Sequence, residues 1–173
     1  MSNAPLKPST TFFARLLHAH VDMEARLKEL ERAADGLTRE GEGNAALSEA
    51  AALVDQIAAV GKRHHDDEAH TLFPRLRPLP EFKQLLDAFD FQHQMNDTEE
   101  KARMARLRSD APGSGLELRK LVYRYTEMHR AHMLSEERVL FTAAEQSLSR
   151  AILEELEGEL RGPALTDQPR SIA

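Results

Sequence analysis

One short pattern is written twice in this chain, and it restricts the possible folds more than any other feature. Residues 64–73 read His-His-Asp-Asp-Glu-Ala-His-Thr-Leu-Phe, and residues 132–141 read His-Met-Leu-Ser-Glu-Glu-Arg-Val-Leu-Phe. The copies share a histidine (His64, His132), a glutamate four residues on (Glu68, Glu136) and a closing Leu-Phe pair. On a helix, residues i and i+4 sit one above the other, about 6 Å apart along the axis. Each copy therefore presents an imidazole and a carboxylate to one point in space. Two copies facing each other across a helical bundle can hold a pair of metal ions.

The rest of the chain supplies such a bundle. Ser9 or Thr10 is placed to cap a first helix that runs to Asp35-Gly36, with an apolar stripe of Phe13, Leu16, Leu17, Met23, Leu27 and Leu30 that includes His20. After the loop Glu40-Gly41-Glu42-Gly43, Asn44 is placed to cap a second helix. That helix carries Leu47, Ala50, Val54, Ile57, Gly61, His64, Glu68 and Leu72 on one face and ends near Pro74. A third starts at Pro80-Glu81, its inner face Phe82, Leu86, Phe89, His93, Asn96, Met104 and Leu107. The turn Ser109–Gly115 leads to a fourth, with Leu118, Leu121, Tyr125, Met128, His132, Glu136, Val139 and Ala143 inward. Ser147 or Ser149 is placed to cap a short fifth helix, Ile152 to Leu160, and no strand candidate competes. The expected fold is all-α: an up-down-up-down four-helix bundle over residues 9–160 with a short fifth C-terminal helix, and tails at 1–8 and 161–173.

Loop positions set the depth of each histidine. His20 lies about 18 residues before the first loop and His64 about 20 after it, so they share a level on antiparallel helices. His64 and His93 are about 10 and 13 residues from the second turn, and His93 and His132 about 16 and 17 from the third. One histidine per helix thus falls at a common height on each apolar stripe. A single such histidine is ordinarily a hydrogen-bonded core residue. Four at one depth, with Glu68 and Glu136 sunk beside them and no Lys or Arg at that level, need another explanation. An unpaired buried carboxylate costs several kcal/mol, whereas a divalent cation accepts imidazole nitrogen and carboxylate oxygen together.

The remaining histidines carry less. His18 and His70 project toward polar faces, and His65, about 100° round from His64, faces a neighbour or water. His129 lies one turn before His132, within range of the site.

Composition narrows the partners. The chain has 23 basic against 29 acidic residues, a formal charge of −6, so its surface repels phosphate backbones and nucleic acid is not expected as a partner. With no cysteine there are no disulfides, thiolate metal sites or iron–sulfur clusters. No apolar run is long enough to span a bilayer and the first residues lack the build of a signal peptide, so no membrane partner is expected and the expected location is cytoplasmic.

The order His, His-x3-Glu, His, His-x3-Glu on successive helices, with Leu-Phe-Pro closing the second, resembles the haemerythrin-like family, also called the HHE cation-binding domain. The resemblance runs from about Thr11 to Ser149. It implies a four-helix bundle with a non-haem di-iron centre: two Fe ions, oxo-, hydroxo- or water-bridged. His20, His64, His93 and His132 would be terminal ligands, and Glu68 and Glu136 would bridge. Two departures stand out. Oxygen-carrying haemerythrins have a further histidine one turn after the third-helix ligand, where this chain has Asp97. They also place the last carboxylate five residues after its histidine, which corresponds to Glu137. The internal repeat favours Glu136, as does helical geometry, since i+4 lies about 40° round from i and i+5 about 140°. Glu24 and Asp97, one turn after His20 and His93, are either further oxygen ligands, acceptors that orient an imidazole, or surface acids.

The function this implies is binding of O2, NO or peroxide at an open iron position, in sensing, iron handling or oxidative-stress defence, by a binding protein more than a dedicated enzyme. Its oligomeric state, monomer or homodimer, stays open. One competing reading is a ferritin-like di-metal oxidase or peroxidase, which needs Glu-x-x-His twice; only Asp67-x-x-His70 and Asp90-x-x-His93 approach it. Another is a metal-dependent phosphohydrolase built on His65-Asp66, which has little besides Lys62 and Arg63 to clamp a phosphate.

Overall fold

Every described residue of the fold serves helices or the short turns between them. The structure, a computed structural model, describes residues 11–38, 43–107 and 115–159. The expected tails, the caps at Ser9 and Thr10 and most of the two loops at residues 40–44 and 109–115 lie outside the described residues. Four long helices form the bundle: α1 (Thr11–Gly36), α2 (Gly43–Asp67), α4 (Lys83–Leu107) and α5 (Gly115–Ser135). α1 and α4 each pack on both α2 and α5, which closes a four-sided bundle. Short α3 (Phe73–Leu76) and α6 (Thr142–Ser147) extend α2 and α5, and α7 (Arg150–Glu159) is the expected fifth helix, starting two residues earlier than the pattern indicated. The chain is all-α among the described residues.

On α1 the stripe falls where the periodicity puts it except at Leu17, which is half-buried, and on α4 the side chains of Met104 and Leu107 lie outside the described residues. On α1, Phe13, Leu16, His20, Met23, Leu27 and Leu30 are buried, while Arg15, His18 and Val21 between them face out. α2 begins at Gly43, one residue ahead of the expected cap Asn44. A 3-10 turn at Pro80–Phe82 precedes α4, where proline's missing N–H has no helical partner to lose. Leu148, in extended backbone, separates α6 from α7, and the Ser149 hydroxyl caps α7 by accepting from the Ile152 N–H at 3.4 Å. α7 then lies against α1 and residues 68–72, burying Leu156.

One departure from regular helix recurs. α2 and α3 are joined by a π turn, Glu68–Leu72, and α5 and α6 by another, Glu136–Phe141. In the first, the Phe73 N–H reaches back five residues to the Glu68 carbonyl. Each π turn starts on the glutamate of the repeated motif. The wider turn shifts every later side chain round the axis, which corrects the inner face expected for the fourth helix. Val139, expected inward, is 47% exposed, and Ala143 is only half-buried, while Leu140, Phe141 and Ala144 are buried instead.

The core falls into two clusters with the polar layer between them. Met23, Leu27, Leu30, Val54, Ile57 and Tyr125 lead the first, at the end where α1 passes to α2. Phe12, Phe13, Phe73, Leu86, Phe89 and Phe141 lead the second, under α7. Polar clasps hold α1 to α5: Arg130 pairs with Glu24 at 2.9 Å and Glu31 at 2.6 Å, and Arg119 with Asp35 at 2.9 Å. At the other end Arg77 pairs with Asp90 at 2.6 Å, and Arg75 with Glu159.

The start of α5 is set by a close approach. A Cβ added to Gly115 would stand 2.0 Å from the Leu37 carbonyl oxygen, which as backbone has no rotamer to yield. Gly115→Ala is therefore expected to lower stability by about 1–3 kcal/mol, as overpacking does. An unchanged urea midpoint would show that α5 can slide away from α1.

Candidate metal centre

The helices bring all six motif residues to one level between the two apolar clusters. His20 comes from α1, His64 from α2, His93 from α4 and His132 from α5, and all four are buried. Glu68 and Glu136, at the starts of the π turns, are completely buried.

Glu136 divides the group in two. Its Oε2 lies 3.1 Å from His20 Nε2 and 3.4 Å from His64 Nε2. Its Oε1 lies 2.7 Å from His132 Nε2 and 3.3 Å from His93 Nε2. Glu68 straddles the same division, with Oε1 3.6 Å from His64 Nε2 and Oε2 3.4 Å from His93 Nε2. Each carboxylate thus offers one oxygen to a His20–His64 half and the other to a His93–His132 half. The spacing within a half suits one ion: His20 and His64 Nε2 are 3.0 Å apart, and two donors about 2.1 Å from a metal at right angles are about 3 Å apart.

The electrostatics say the same. Burial pushes the Glu68 carboxyl well above the usual carboxylate range, and the neighbouring charge of Glu136 adds to it. No hydrogen-bond donor satisfies either Glu68 oxygen. A carboxyl with both oxygens stranded in a dry interior fits a role that a cation completes. Burial also opposes ionisation of Glu136, but hydrogen bonds from His132, His20, His64 and His93 outweigh it and hold that carboxyl well below its usual range. Burial lowers the pKa of His64 despite Glu136. For His20 burial pulls downward too, yet Glu136 and Glu137 together raise the imidazole above its ordinary value.

Surrounding groups fix the rings. Glu137, half-exposed, accepts from His20 Nδ1 at 2.9 Å, and Gln92 Oε1 accepts from His132 Nδ1 at 2.9 Å. Phe141 stacks on His20 at 5.7 Å and Phe73 on His93 at 5.8 Å between ring centres, with Phe89 tilted against His132 at 5.9 Å. The phenylalanine cluster thus seals one side of the layer from water.

Several subsidiary residues are now placed. Glu136, rather than Glu137, is the carboxylate at the centre, and Glu137 orients His20 from the rim. Glu24 is engaged by Arg130 at 2.9 Å and Lys28 at 3.4 Å. The side chain of Asp97 lies outside the described residues. His18 and His70 face solvent, and His129 is buried with its ring edge-on to Tyr125 at 4.4 Å. His65, expected against a neighbour or water, meets a neighbour. Its ring stacks on His93, 3.9 Å between centres and 13° from parallel, and meets His132 edge-on at 5.4 Å. Burial, then the neighbouring His93 and His132, push its pKa down to about 2, so it is a neutral imidazole.

Three groups of potential ligand atoms emerge, each with every pair within 4.8 Å: His20, His64 and Glu136; Glu68, His93 and Glu136; and His65, His93 and His132. The hemerythrin HHE cation binding domain, as a family model, matches residues 11–144. No curated protein and no solved structure matches the chain. With most of its length matched, and with the motif residues gathered in a layer whose acids and imidazoles can hold metal, the chain belongs to the hemerythrin HHE cation-binding domain family.

Proposed function

We propose that this chain holds a pair of non-haem iron ions and binds O2, NO or peroxide at one of them, as a sensor, an iron-handling protein or a defence against oxidative stress. The observation that carries the reading is the division of the site by Glu136, whose two oxygens each face a different pair of imidazoles. His20 and His64 would hold one ion and His93 and His132 the other, with Glu68 and Glu136 shared. Bound iron would supply open coordination positions and electron-transfer chemistry that no side chain here offers.

The protein's own part is to hold, orient and exclude. Glu137 and Gln92 keep His20 and His132 turned inward. The phenylalanines keep water from one side. On another side a groove of about 580 Å³ between α1 and α5, bordered by Val21, Met133, Leu134 and Glu137, leads to His20. That would give a small ligand an approach to the His20–His64 half, as a crevice of about 210 Å³ lined by His65 and His93 would to the other half. Four imidazoles against two carboxylates favour ligand binding at iron over the carboxylate-rich chemistry of ferritin-like oxidases. The alternative acids are otherwise engaged: Asp90 with Arg77, and Asp66 with Lys62 at 2.5 Å, while His70 faces solvent.

Elemental analysis of aerobically purified protein, with absorption spectra before and after adding azide or peroxide, tests the proposal. Two irons per chain and a charge-transfer band altered by azide are expected. Absence of iron uptake, or a spectrum that no small ligand perturbs, would count against it.

A further inference from the structure

α4 has two uncharged faces, and the bundle accounts for only one of them. Leu86, Phe89, His93 and Asn96 lie on the inner face and are buried. On the opposite face Ala88, Phe91, Met95, Thr98, Ala102 and Ala105 are all exposed, Phe91 by 63% and Met95 by 42%. None of the six is charged in a chain that is 30% charged, although the outward face of a bundle helix is ordinarily its charged one. Their spacing alternates between three and four residues, the repeat of a helix that packs along another helix. Thr98 fits such a seam: its hydroxyl already donates to the Gln94 carbonyl one turn back at 2.9 Å, so covering it strands no donor. Charge is also sorted along the helix. All five acids of α4 lie before Lys101, and the charged residues from there on, Lys101, Arg103 and Arg106, are basic.

We infer that this face of α4 seats a second copy of the chain, held antiparallel across a twofold axis that passes between Met95 and Thr98. In that register Phe91 lies over Ala102, Met95 over Thr98 and Ala88 over Ala105, so the large side chains of each copy meet small ones of the other. Charge sets the direction. The basic last turns of each α4 stand opposite the turns that carry Asp87 and Asp90 in the other copy, whereas a parallel pair would set three basic residues against three. A twofold contact is closed, so two copies satisfy it and no filament follows. The seam is about 26 Å long at 1.5 Å per residue, short for a permanent interface, and the dimer is expected in the micromolar range. The inference does not depend on the metal pair. Because His93 sits on the inner face of α4, pairing places one polar layer on each side of the two joined helices.

Sedimentation velocity of the full chain across a concentration series tests the association. A reversible monomer–dimer equilibrium is expected, and Phe91→Asp should raise the dimer dissociation constant at least about thirtyfold, as loss of a buried aromatic anchor does. Leu116→Asp, at another exposed apolar residue on α5, should leave it unchanged. Circular dichroism confirms that each variant is folded. Disulfide trapping reads the order of the helices, since the chain has no cysteine of its own. Ala88→Cys and Ala105→Cys proteins mixed under mild oxidation should form a crosslinked pair. Neither should crosslink alone, because like positions stand at least about 26 Å apart in the antiparallel register, far beyond disulfide reach. Three results would each overturn the proposal. Wild type that stays monomeric up to about 200 µM has no such interface. A dimer unaffected by Phe91→Asp is built on another face. Crosslinking of Ala88→Cys with itself means that the helices run parallel.

Discussion

Replacing Glu136 with alanine is expected to abolish metal uptake at both positions and to destabilise the metal-free protein by about 3–5 kcal/mol, the range for removing one partner of a buried charged cluster. Both effects come from one carboxylate meeting four imidazoles. In the metal-free chain Glu136 is the anion around which His20, His64, His93 and His132 are arranged, and alanine would leave those nitrogens facing a hole. The destabilisation should depend on pH in a defined direction. Because the folded protein holds the Glu136 carboxyl below its usual range, its contribution is present above the unfolded value of about 4.3 and is lost as pH falls through the folded one. Urea denaturation of wild type and Glu136→Ala in the presence of a chelator should therefore give well-separated midpoints at neutral pH that converge in strong acid. Equal midpoints at neutral pH would show that the imidazoles organise themselves without the acid.

Most of this arrangement is legible in the sequence because it rests on periodicity. A histidine on the apolar stripe of each long helix, at a depth fixed by loop positions, is a matter of counting at 1.5 Å per residue, and the structure places His20, His64, His93 and His132 at one level accordingly. Periodicity also hid what it could not describe. A 3.6-residue repeat has no place for one inserted residue, so the stripe carried through Glu136 ran on to Val139 and Ala143 when the π turn had moved the inner face to Leu140, Phe141 and Ala144. A signal of the insertion was present. Leu72-Phe73 and Leu140-Phe141 are adjacent pairs of large apolar residues, all buried, and a regular helix separates adjacent side chains by about 100°.

The 100° step from His64 left His65 facing either a neighbouring helix or water, and periodicity alone does not choose between them. In a four-sided bundle a side chain one step off the stripe meets the neighbouring helix, here α4 with His93. The step off the stripe distinguishes it from His18, which on α1 faces solvent. What no reading of residues in order supplies is which acid a given cation has already taken. Glu24 sits one turn from His20, yet Arg130, more than a hundred positions on, holds it at the rim.

The second glutamate of the repeat should behave oppositely in the metal-free protein, and that contrast tests whether the pair exists for metal. Glu68→Met is expected to abolish metal uptake as Glu136→Ala does, but to stabilise the metal-free chain by about 1–4 kcal/mol, as apolar replacement of buried ionisable groups can. No hydrogen-bond donor serves either Glu68 oxygen, so methionine gives up only the carboxyl's own contact with Glu136 and spares the desolvation of an acid. The pH dependence has the reverse sign from that of Glu136. Burial and the charge of Glu136 raise the folded pKa, so the folded chain holds its proton more tightly than the unfolded one, and stability is lost as pH rises above about 4.3 toward the folded value. His20, also raised, loses its contribution in the same direction, from about 6.5 upward. In chelator, the advantage of Glu68→Met over wild type should therefore grow as pH rises above about 4.3, with the His20 contribution common to both. Since a carboxyl must ionise to bind a cation, metal uptake by wild type should release the Glu68 proton, which calorimetry in buffers of different ionisation enthalpy can count. A Glu68→Met chain less stable than wild type at pH 8 would mean that the acid holds the fold together. The case that two glutamates and their imidazoles are buried for a cation would then lose its main physical support.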